Sequence, residues 1–410
     1  MPTLRDPLWN NIRIEGPYLR LLDAAPFQRL RYVRQLGLAH LVYPGATHSR
    51  FEHALGAYHL ARETVRVLRD ADGAGGGPFD DAEGRIVVAA ALLHDIGHYP
   101  FSHALEELGI PHHEAVAEPL LHEGEIGRIL REEFAPDAPA QVYALIRGAS
   151  DSPLQGLISG SIDLDKIDYL KRDAMMCGVA YGEIDVDRLR HALVLVEDPS
   201  SGRVSVGMRE KGLSALESLL FAKYQMYRNV YWHHAVRSAT AMYKRMVEDA
   251  LAEGTLRVES LARFTDEGLL HALESGPART LLAAMRERRL YKRALEVPAV
   301  ELAQERLDWL SDDRARTRRA EDALARTAGL APGELLLDFP RKERMLGLDL
   351  PLLARDGSVR HLTDQGIVGT INLPILGEEL YQSARWLRVF TARRIELSRD
   401  VVLGALINSN

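Results

Sequence analysis

The fold is built around one stretch of the sequence, residues 90–103, which reads Ala90-Ala91-Leu92-Leu93-His94-Asp95-Ile96-Gly97-His98-Tyr99-Pro100-Phe101-Ser102-His103. An apolar run of the kind that packs a helix into a core ends in a His-Asp pair, a glycine and two further histidines. Metal-ligating atoms are thereby delivered to the end of a buried element, as in many metal sites. A His-Asp pair is also common by chance, and a lone buried histidine is more often a satisfied core residue than a ligand.

Histidines are concentrated around this stretch. Of the 15 histidines in the 410-residue chain, ten lie between His40 and His122. A structural protein has no reason to concentrate imidazoles in this way, so the metal interpretation is favoured.

Composition narrows the class of protein. The chain is 46% hydrophobic and 27% charged, and its apolar runs are shorter than the roughly 18 residues that a membrane span needs. The N-terminus lacks the apolar segment of a secretory signal. The single cysteine, Cys177, excludes an internal disulfide and a thiolate cage, and we expect cytoplasmic residence. A net charge of −7 argues against duplex DNA as the main partner.

Helical periodicity surrounds the opening stretch. Arg50 and His53 begin a helical pattern that continues to about Leu68, and Glu83 to His94 forms a central helix. Further helices are predicted near 114–133 and 139–149, so the fold class is mainly α. Pro26 opens another helix whose arginines form either a solvated face or an anion site.

A second polar stretch runs from Ser161 to Asp173. On a helix, Asp165, Tyr169 and either Arg172 or Asp173 share one face. The stretch is either a surface helix laced with ion pairs or a helix that delivers Asp165 as a distant metal ligand.

The later chain is predicted as helix over 185–197, strand over 203–208 and helix over 213–251. Aromatic residues interleaved with Lys and Arg in the last of these pack in the core or stack on a ligand. Residues 252–410 mix charged helices with strand-like pieces near 334–338 and 398–407. We predict a core of residues 1–251 and a smaller mixed α+β region, 252–410, for oligomerisation or regulation.

Two imidazoles and two carboxylates would make a mixed nitrogen and oxygen site. Such a site suits Mn, Fe, Zn, Co or Ni and leaves positions open for water and a phosphoryl oxygen. A bound metal generates hydroxide near neutral pH and neutralises phosphoryl charge. The predicted chemistry is therefore hydrolysis of a phosphoester or a phosphoanhydride.

Five motifs give the chain a family resemblance. They occur in the order Pro26-Phe27-Gln28-Arg29-Leu30-Arg31-Tyr32, Gln35-Leu36-Gly37, Pro44-Gly45-Ala46-Thr47-His48-Ser49-Arg50-Phe51-Glu52-His53, the stretch from Leu93 to His103, and Asp165-Lys166-Ile167-Asp168-Tyr169-Leu170-Lys171-Arg172-Asp173. With them, residues 6 to about 250 resemble the HD-domain deoxynucleoside triphosphate triphosphohydrolases, in the branch of the vertebrate sterile-alpha-motif and HD-domain enzyme and its bacterial relatives. The resemblance implies an HD-domain helical core.

The resemblance also implies roles for individual residues. The metal ligands would be His53, His94, Asp95 and Asp165. Family members cleave dNTPs to a deoxynucleoside and triphosphate by attack of water or hydroxide at the α-phosphorus, with Mg on the nucleotide phosphates. His103 would be the general acid and His98 a phosphate contact, while His113 would pair with Glu106, where the vertebrate enzyme has Asp.

Substrate contacts carry over in the same way. Phosphate contacts would come from Arg50, Lys166 and Lys223, of which Lys223 stands where the vertebrate enzyme has Arg. Gln35 and Asp173 would bind the sugar 3′-hydroxyl. The deoxyribose face would be covered by Leu36, Tyr169 and Tyr231, whose close packing excludes a ribose hydroxyl.

The branch is also activated by a guanine nucleotide bound between subunits. Asp23, Gln28 and Arg31 match the positions that read the base, and an Asp can accept from the base N1 and N2 hydrogens. Arg188, Arg209, Lys211 and His233 match phosphate or neighbouring contacts. The resemblance therefore implies dGTP or GTP as activator and a homotetramer or another homo-oligomer.

Three hypotheses about function remain open. The first is a dNTP triphosphohydrolase. The second is an HD phosphohydrolase acting on another nucleotide, such as a monophosphate. The third is a nonenzymatic sensor of nucleotides or nucleic acids, for which the four ligands and the additional histidines would be unnecessary.

Overall fold

The fold is mainly helical, as predicted. A computed structural model describes residues 2–71, 78–302, 305, 307–340, 350–362 and 372–407, and the fold is 58% helix and 12% strand. The elements up to residue 192 are β1 (Thr3–Asp6), β2 (Asn10–Arg13), α1 (Gly16–Asp23), α2 (Ala25–Gln28), α3 (Arg50–Ala71), α4 (Asp81–Leu93), α5 (His113–His122), α6 (Gly124–Glu133), α7 (Ala138–Ile146), α8 (Leu164–Cys177) and α9 (Val186–Ala192).

The later elements alternate helices with short strands. They are β3 (Leu193–Glu197), β4 (Val204–Arg209), α10 (Leu213–Met226), α11 (His234–Ala252), α12 (Val258–Leu261), α13 (Asp266–Ala272), α14 (Arg279–Arg286), β5 (Lys292–Pro298), α15 (Trp309–Asp312), α16 (Arg314–Thr327), β6 (Leu335–Asp338), β7 (Pro351–Leu353), β8 (Val359–His361), α17 (Leu373–Ala384), β9 (Trp386–Thr391) and α18 (Arg399–Ile407). Short 3₁₀ turns are Arg29–Tyr32, Gly37–Leu41, Ser102–Ala104, Glu106–Leu108, Gln155–Leu157, Ala180–Gly182, Glu210–Gly212 and Ala299–Glu301, and Tyr227–Tyr231 is a π-helical turn.

The central helix α4 confirms the prediction made from the opening stretch. The Asp80 side chain caps it by accepting a hydrogen bond from the Glu83 N–H at 2.8 Å. Residues 86–93 are all buried, as expected for a helix that is apolar on every side. Because α3 and α7 pack against α4, the C-terminal end of α4 lies inside the helical core.

Three elements differ from the sequence-based prediction. The helix predicted over 213–251 is divided into α10 and α11, because the π-helical turn Tyr227–Tyr231 and the residues 232–233 interrupt it. The helix predicted over 185–197 ends at Ala192, because the apolar run Leu193–Glu197 pairs antiparallel with β4, with Leu193 opposite Met208. The predicted strand near 398–407 is helix α18, whose Val402 and Leu406 are buried. The predicted strands at 203–208 and 334–338 are confirmed as β4 and β6.

The strands form small sheets attached to the helices. The order β3-β4-β7-β8 brings β7 parallel to β4, and β9 lies between β5 and β6 in an antiparallel sheet. Among the residues described, no helix combines the length and apolarity needed to cross a membrane.

The described residues form five groups of buried apolar side chains, of which three are large. The first contains most of the N-terminal helices together with Leu352 of β7. The second joins α11, α13 and α14 to Tyr99, Phe101 and Leu105, and the third lies between the β5-β9-β6 sheet, α16 and α18. The domain boundary between residues 251 and 252 stays a prediction.

Helices α3 and α8 meet at a buried ion pair. The Asp168 carboxylate of α8 accepts from Arg172 Nε at 2.8 Å and from Arg172 Nη2 at 2.9 Å. Arg172 in turn donates to Asp6 at 2.8 Å. A Cβ on Gly56 of α3 would lie 1.8 Å from Asp168 Oδ1, so only glycine permits this approach.

Replacement of Gly56 by alanine should therefore weaken the junction. The new methyl group must displace Asp168, and we expect the free energy of unfolding to fall by about 1–3 kcal/mol, the usual cost of overpacking a core. Urea denaturation measures the change. Gly16→Ala is the control, because a Cβ there meets nothing within 4 Å; equal stability of the two variants would contradict the prediction.

Candidate metal centre and active site

Four side chains converge at the end of α4. His53 comes from α3, His94 and Asp95 follow α4, and Asp165 lies in the first turn of α8. His53 Nε2 lies 3.2 Å from His94 Nε2, 2.8 Å from Asp165 Oδ1 and 3.7 Å from Asp95 Oδ2. Ligand atoms about 2.0–2.2 Å from a shared ion stand roughly 3 Å apart, so this donor set fits one divalent metal.

The hydrogen bonds of the two histidines prepare their Nε2 atoms for a metal. His53 Nδ1 lies 2.8 Å from Asp168 Oδ2, and His94 Nδ1 lies 2.8 Å from the Ala91 carbonyl oxygen. Since both partners can only accept, each Nδ1 carries a proton, which leaves Nε2 as the atom of each ring that a metal could bind. Two Nε2 atoms facing each other at 3.2 Å suit a bound cation.

A second group of histidines lies beside the donor set. Glu106 accepts from His113 Nδ1 at 2.6 Å and from His103 Nδ1 at 2.8 Å. Burial alone would raise the pKa of Glu106, but the two histidines outweigh it and lower that pKa. Glu106 therefore stays ionised and holds both rings, and it leaves each Nε2 free.

The His98 ring lies between the two groups. It stacks on His113 with ring centroids 3.8 Å apart, and its Nε2 lies 3.1 Å from Asp95 Oδ1. Burial lowers the pKa of His98 well below its ordinary value, so the ring is neutral at neutral pH. Neither ring nitrogen has a hydrogen bond of good geometry, which leaves His98 able to contact a ligand.

The glycine of the opening stretch explains how α5 approaches. A Cβ on Gly97 would lie 2.1 Å from the His113 carbonyl oxygen and 2.7 Å from the Ala117 nitrogen. Only glycine at this position lets the first turn of α5 place His113 beside His98.

On the other side of the donor set, polar and aromatic groups surround Asp173. Its carboxylate lies 2.7 Å from His48 Nε2 and accepts from the Tyr231 hydroxyl at 2.7 Å. The Tyr169 ring lies 6.4 Å from His53 and 6.5 Å from Tyr231, measured between centroids. The structure thus brings Tyr169, Asp173 and Tyr231 together next to a metal-ligand histidine.

Arg50 connects these groups. Its Nη1 donates to Asp95 Oδ2 at 2.6 Å and its Nε donates to Ser102 Oγ at 3.0 Å. The Ser102 hydroxyl lies 3.0 Å from the Gln35 carbonyl oxygen. The buried Gln35 Oε1 has no hydrogen-bond partner among the residues that the structure describes, and it is an available acceptor. Leu36 is half-buried beside it.

The two lysines of the predicted phosphate contacts lie on different helices. Lys166 of α8 donates to the Gly160 carbonyl oxygen at 2.8 Å and pairs with Asp163. Lys223 is buried in α10.

Hydrogen bonds join four of the seven predicted activator residues in two pairs. Arg31 donates to Gln28 at 2.8 Å, and Arg188 donates to the Lys211 carbonyl oxygen at 3.2 Å. His233 contacts the His234 ring, with centroids 4.4 Å apart. Asp23 is exposed, and Arg209 is half-buried at the end of β4.

Sequence reasoning missed the residues that orient the ligands. Asp168 and His48 lie inside the quoted motifs but received no role. The i to i+4 spacing of Asp168 and Arg172 was a readable signal, whereas the contact of Trp9 Nε1 with Asp168 Oδ1 at 2.5 Å joins residues too far apart in sequence to predict.

Comparisons with known proteins agree with this architecture. The family model described as HD domain matches residues 50–173, and the model described as HD associated region matches residues 184–372. The first covers the helices that carry His53, His94, Asp95 and Asp165. The second covers α10 and α11 together with the β3-β4-β7-β8 sheet and strands β5 and β6.

Relatives extend the match over most of the chain. An uncharacterised protein of Methanocaldococcus jannaschii is 36% identical over 71% of this chain and 59% of its own length. Deoxynucleoside triphosphate triphosphohydrolase SAMHD1 of Gallus gallus is 26% identical over 78% of this chain and 61% of its own. The chain thus spans less than two thirds of the length of these relatives.

A solved structure shares the whole fold. The crystal structure of a hypothetical protein from Aquifex aeolicus superposes with a TM-score of 0.73 at 28% identity and covers 99% of both chains. With both family models matched in order and the four-ligand set assembled between α3, α4 and α8, the chain belongs to the HD-domain family and carries an HD domain followed by the HD-associated region.

Proposed function

We propose that this protein hydrolyses deoxynucleoside triphosphates to a deoxynucleoside and intact triphosphate. The observation that carries the proposal is the convergence of the His53 and His94 Nε2 atoms with two carboxylates, directly beside the Glu106 histidine pair. The name of the Gallus gallus relative supports dNTPs as the substrate class.

The metal would be held by His53, His94, Asp95 and Asp165, which suit Mn, Fe, Zn, Co or Ni. A divalent ion there supplies Lewis-acid activation of water and neutralises phosphoryl charge, and Mg accompanies the nucleotide phosphates. The two histidines that Glu106 holds, His103 and His113, would then assist the departure of the leaving oxygen.

His103 would act as the general acid. Its Nδ1 is fixed by Glu106, so its Nε2 can deliver a proton to the 5′ oxygen of the deoxynucleoside. His113 shares the same carboxylate and limits its movement. The neutral ring of His98 can donate one N–H to a phosphoryl oxygen, next to the guanidinium of Arg50.

The residues that would bind the sugar surround Asp173, on the opposite side of the donor set from Glu106. The Asp173 carboxylate accepts the single proton of the sugar 3′-hydroxyl, and the Gln35 side chain contacts the same hydroxyl group. Leu36, Tyr169 and Tyr231 cover the deoxyribose, so a 2′-hydroxyl would be crowded and left without a partner. Lys166 and Lys223 contribute point charges to the triphosphate.

We further propose that dGTP or GTP activates the protein at a site completed by a second subunit of a homotetramer or another homo-oligomer. Asp23, Gln28 and Arg31 would read the base. Arg188, Arg209, Lys211 and His233 would contact phosphates or neighbouring atoms. Two hydrogen-bonded pairs within one chain, Arg31 with Gln28 and Arg188 with Lys211, would form part of this site.

Product analysis by anion-exchange chromatography tests the reaction. The wild-type protein with Mn should convert each dNTP to deoxynucleoside and triphosphate. His94→Ala should lose bound metal and lower turnover by about 10³-fold, since several kcal/mol of transition-state stabilisation are removed. His271→Ala, which changes a side chain 82% exposed, is the control.

Other products would redirect the assignment. Release of diphosphate or inorganic phosphate would favour an HD phosphohydrolase with another substrate. Binding of nucleotide without turnover would favour a sensor, and unchanged turnover by His94→Ala would contradict the ligand assignment.

Regulation is tested with dATP as substrate and dGTP as activator. Asp23→Ala and Arg31→Ala should each hydrolyse dATP at the same rate with and without dGTP, because each variant loses a contact with the guanine base. Arg128→Ala, an exposed arginine paired with Glu132, should keep the wild-type ratio of rates with and without dGTP. A normal dGTP response in both test variants would place the activator site elsewhere.

A further inference from the structure

A buried carboxylate of the HD-associated region lies against the turn that carries the histidine group. Asp266, the first residue of α13, is 2% exposed. Its Oδ1 accepts from the Phe101 N–H at 2.8 Å and its Oδ2 accepts from the Arg34 N–H at 3.0 Å. One side chain thus joins two segments that flank the active site.

The turn that Asp266 contacts has an unfavourable backbone. Phe101 has φ +57° and Ser102 has φ +61°, and residues with a side chain rarely adopt this left-handed region. Such conformations persist when surrounding contacts over-determine them, and they concentrate at functional sites. The bond from the Phe101 N–H to Asp266 fixes the first of the two residues.

The fixed turn holds the groups assigned to the reaction. Ser102 Oγ lies 2.7 Å from the Arg34 carbonyl oxygen and accepts from Arg50 Nε at 3.0 Å. His103 follows directly in the chain. Asp266 therefore acts on Gln35, Arg50 and His103 through backbone atoms and touches none of their side chains.

A second contact fastens the same segment. Arg29 donates from Nη1 to the Phe264 carbonyl oxygen at 2.9 Å and from Nη2 to the His98 carbonyl oxygen at 2.7 Å. Arg29 thus links Phe264, which lies just before Asp266 in the chain, to His98. His98 in turn contacts Asp95 of the donor set and the ring of His113.

Burying this carboxylate opposes its charge. Desolvation raises the pKa of Asp266 to about 6, although the Phe101 and Arg34 N–H groups counteract it. Apolar residues of similar volume are often at least as stable as a buried charge. Core packing therefore gives no reason for an aspartate here, whereas the two backbone N–H groups that point at one site, and Arg34 Nη1 at 3.5 Å, do.

We propose that Asp266 is a positioning residue that sets the turn Tyr99–His103, so that the HD-associated region determines the geometry of the active site. The part of this proposal that concerns turnover rests on the proposed function. The part that concerns the turn does not.

Asp266→Asn tests the proposal with Glu267→Gln as matched control. Asparagine keeps the shape but has one acceptor oxygen, and its amide N–H group opposes the second backbone N–H. We expect faster amide exchange over residues 99–105, wild-type metal content and a fall in kcat/KM of about 10²-fold, as misplacement by about 1 Å can produce. Glu267 is 68% exposed and lies 3.9 Å from Arg34 Nη1, so its variant should behave as wild type.

Two results would overturn the proposal. One is an Asp266→Asn protein whose exchange and kcat/KM match those of Glu267→Gln. The other is rapid exchange of the Phe101 and Arg34 amides in the wild-type protein, which needs no variant to fold. If the wild-type protein hydrolyses no dNTP, the proposed function fails, while the exchange and metal measurements still decide the role of Asp266.

Discussion

The buried carboxylate of Asp168 is the interaction on which the site depends. It receives hydrogen bonds from Arg172, from His53 and from Trp9. It therefore joins α8 to α3 and to the turn between the antiparallel strands β1 and β2. Breaking one partner of such a buried pair costs about 3–5 kcal/mol. The hydrogen bond between His53 and Asp168 keeps a proton on His53 Nδ1. The contact that assembles the helices therefore also leaves Nε2 as the atom that can bind a metal.

Asp95 links the metal ligands to the remaining groups. One of its oxygens accepts from Arg50, while the other faces the Nε2 atoms of His94 and His98. Burial would raise the pKa of Asp95, but Arg50 and the two histidines lower it well below its ordinary value. A single ionised carboxylate thus sets the relative positions of the donor set, the Arg50 guanidinium and the neutral imidazole of His98.

Much of the site was predictable because its parts lie in contiguous motifs. The central helix and the convergence of His53, His94, Asp95 and Asp165 follow from local patterns and a family resemblance. Long-range contacts were not predictable, since Asp266 meets Phe101 across 165 residues. The strand at Leu193–Glu197 and the helix at Arg399–Ile407 were mistaken because short apolar runs suit either state, and packing against β4 and α16 decides between them.

The HD-associated region reaches the active site at a second place. Glu107, next to Glu106 in the chain, receives two hydrogen bonds from Arg237, each 2.9 Å, and one from Lys244 at 2.6 Å. Arg237 also binds Asp338 of β6, and both residues are buried. Since ions buried in a network are costly to separate, these contacts hold strand β6, helix α11 and the 3₁₀ turn of Glu106 together. The orientation of His103 and His113 therefore depends on residues from the HD-associated region as well as on the HD domain.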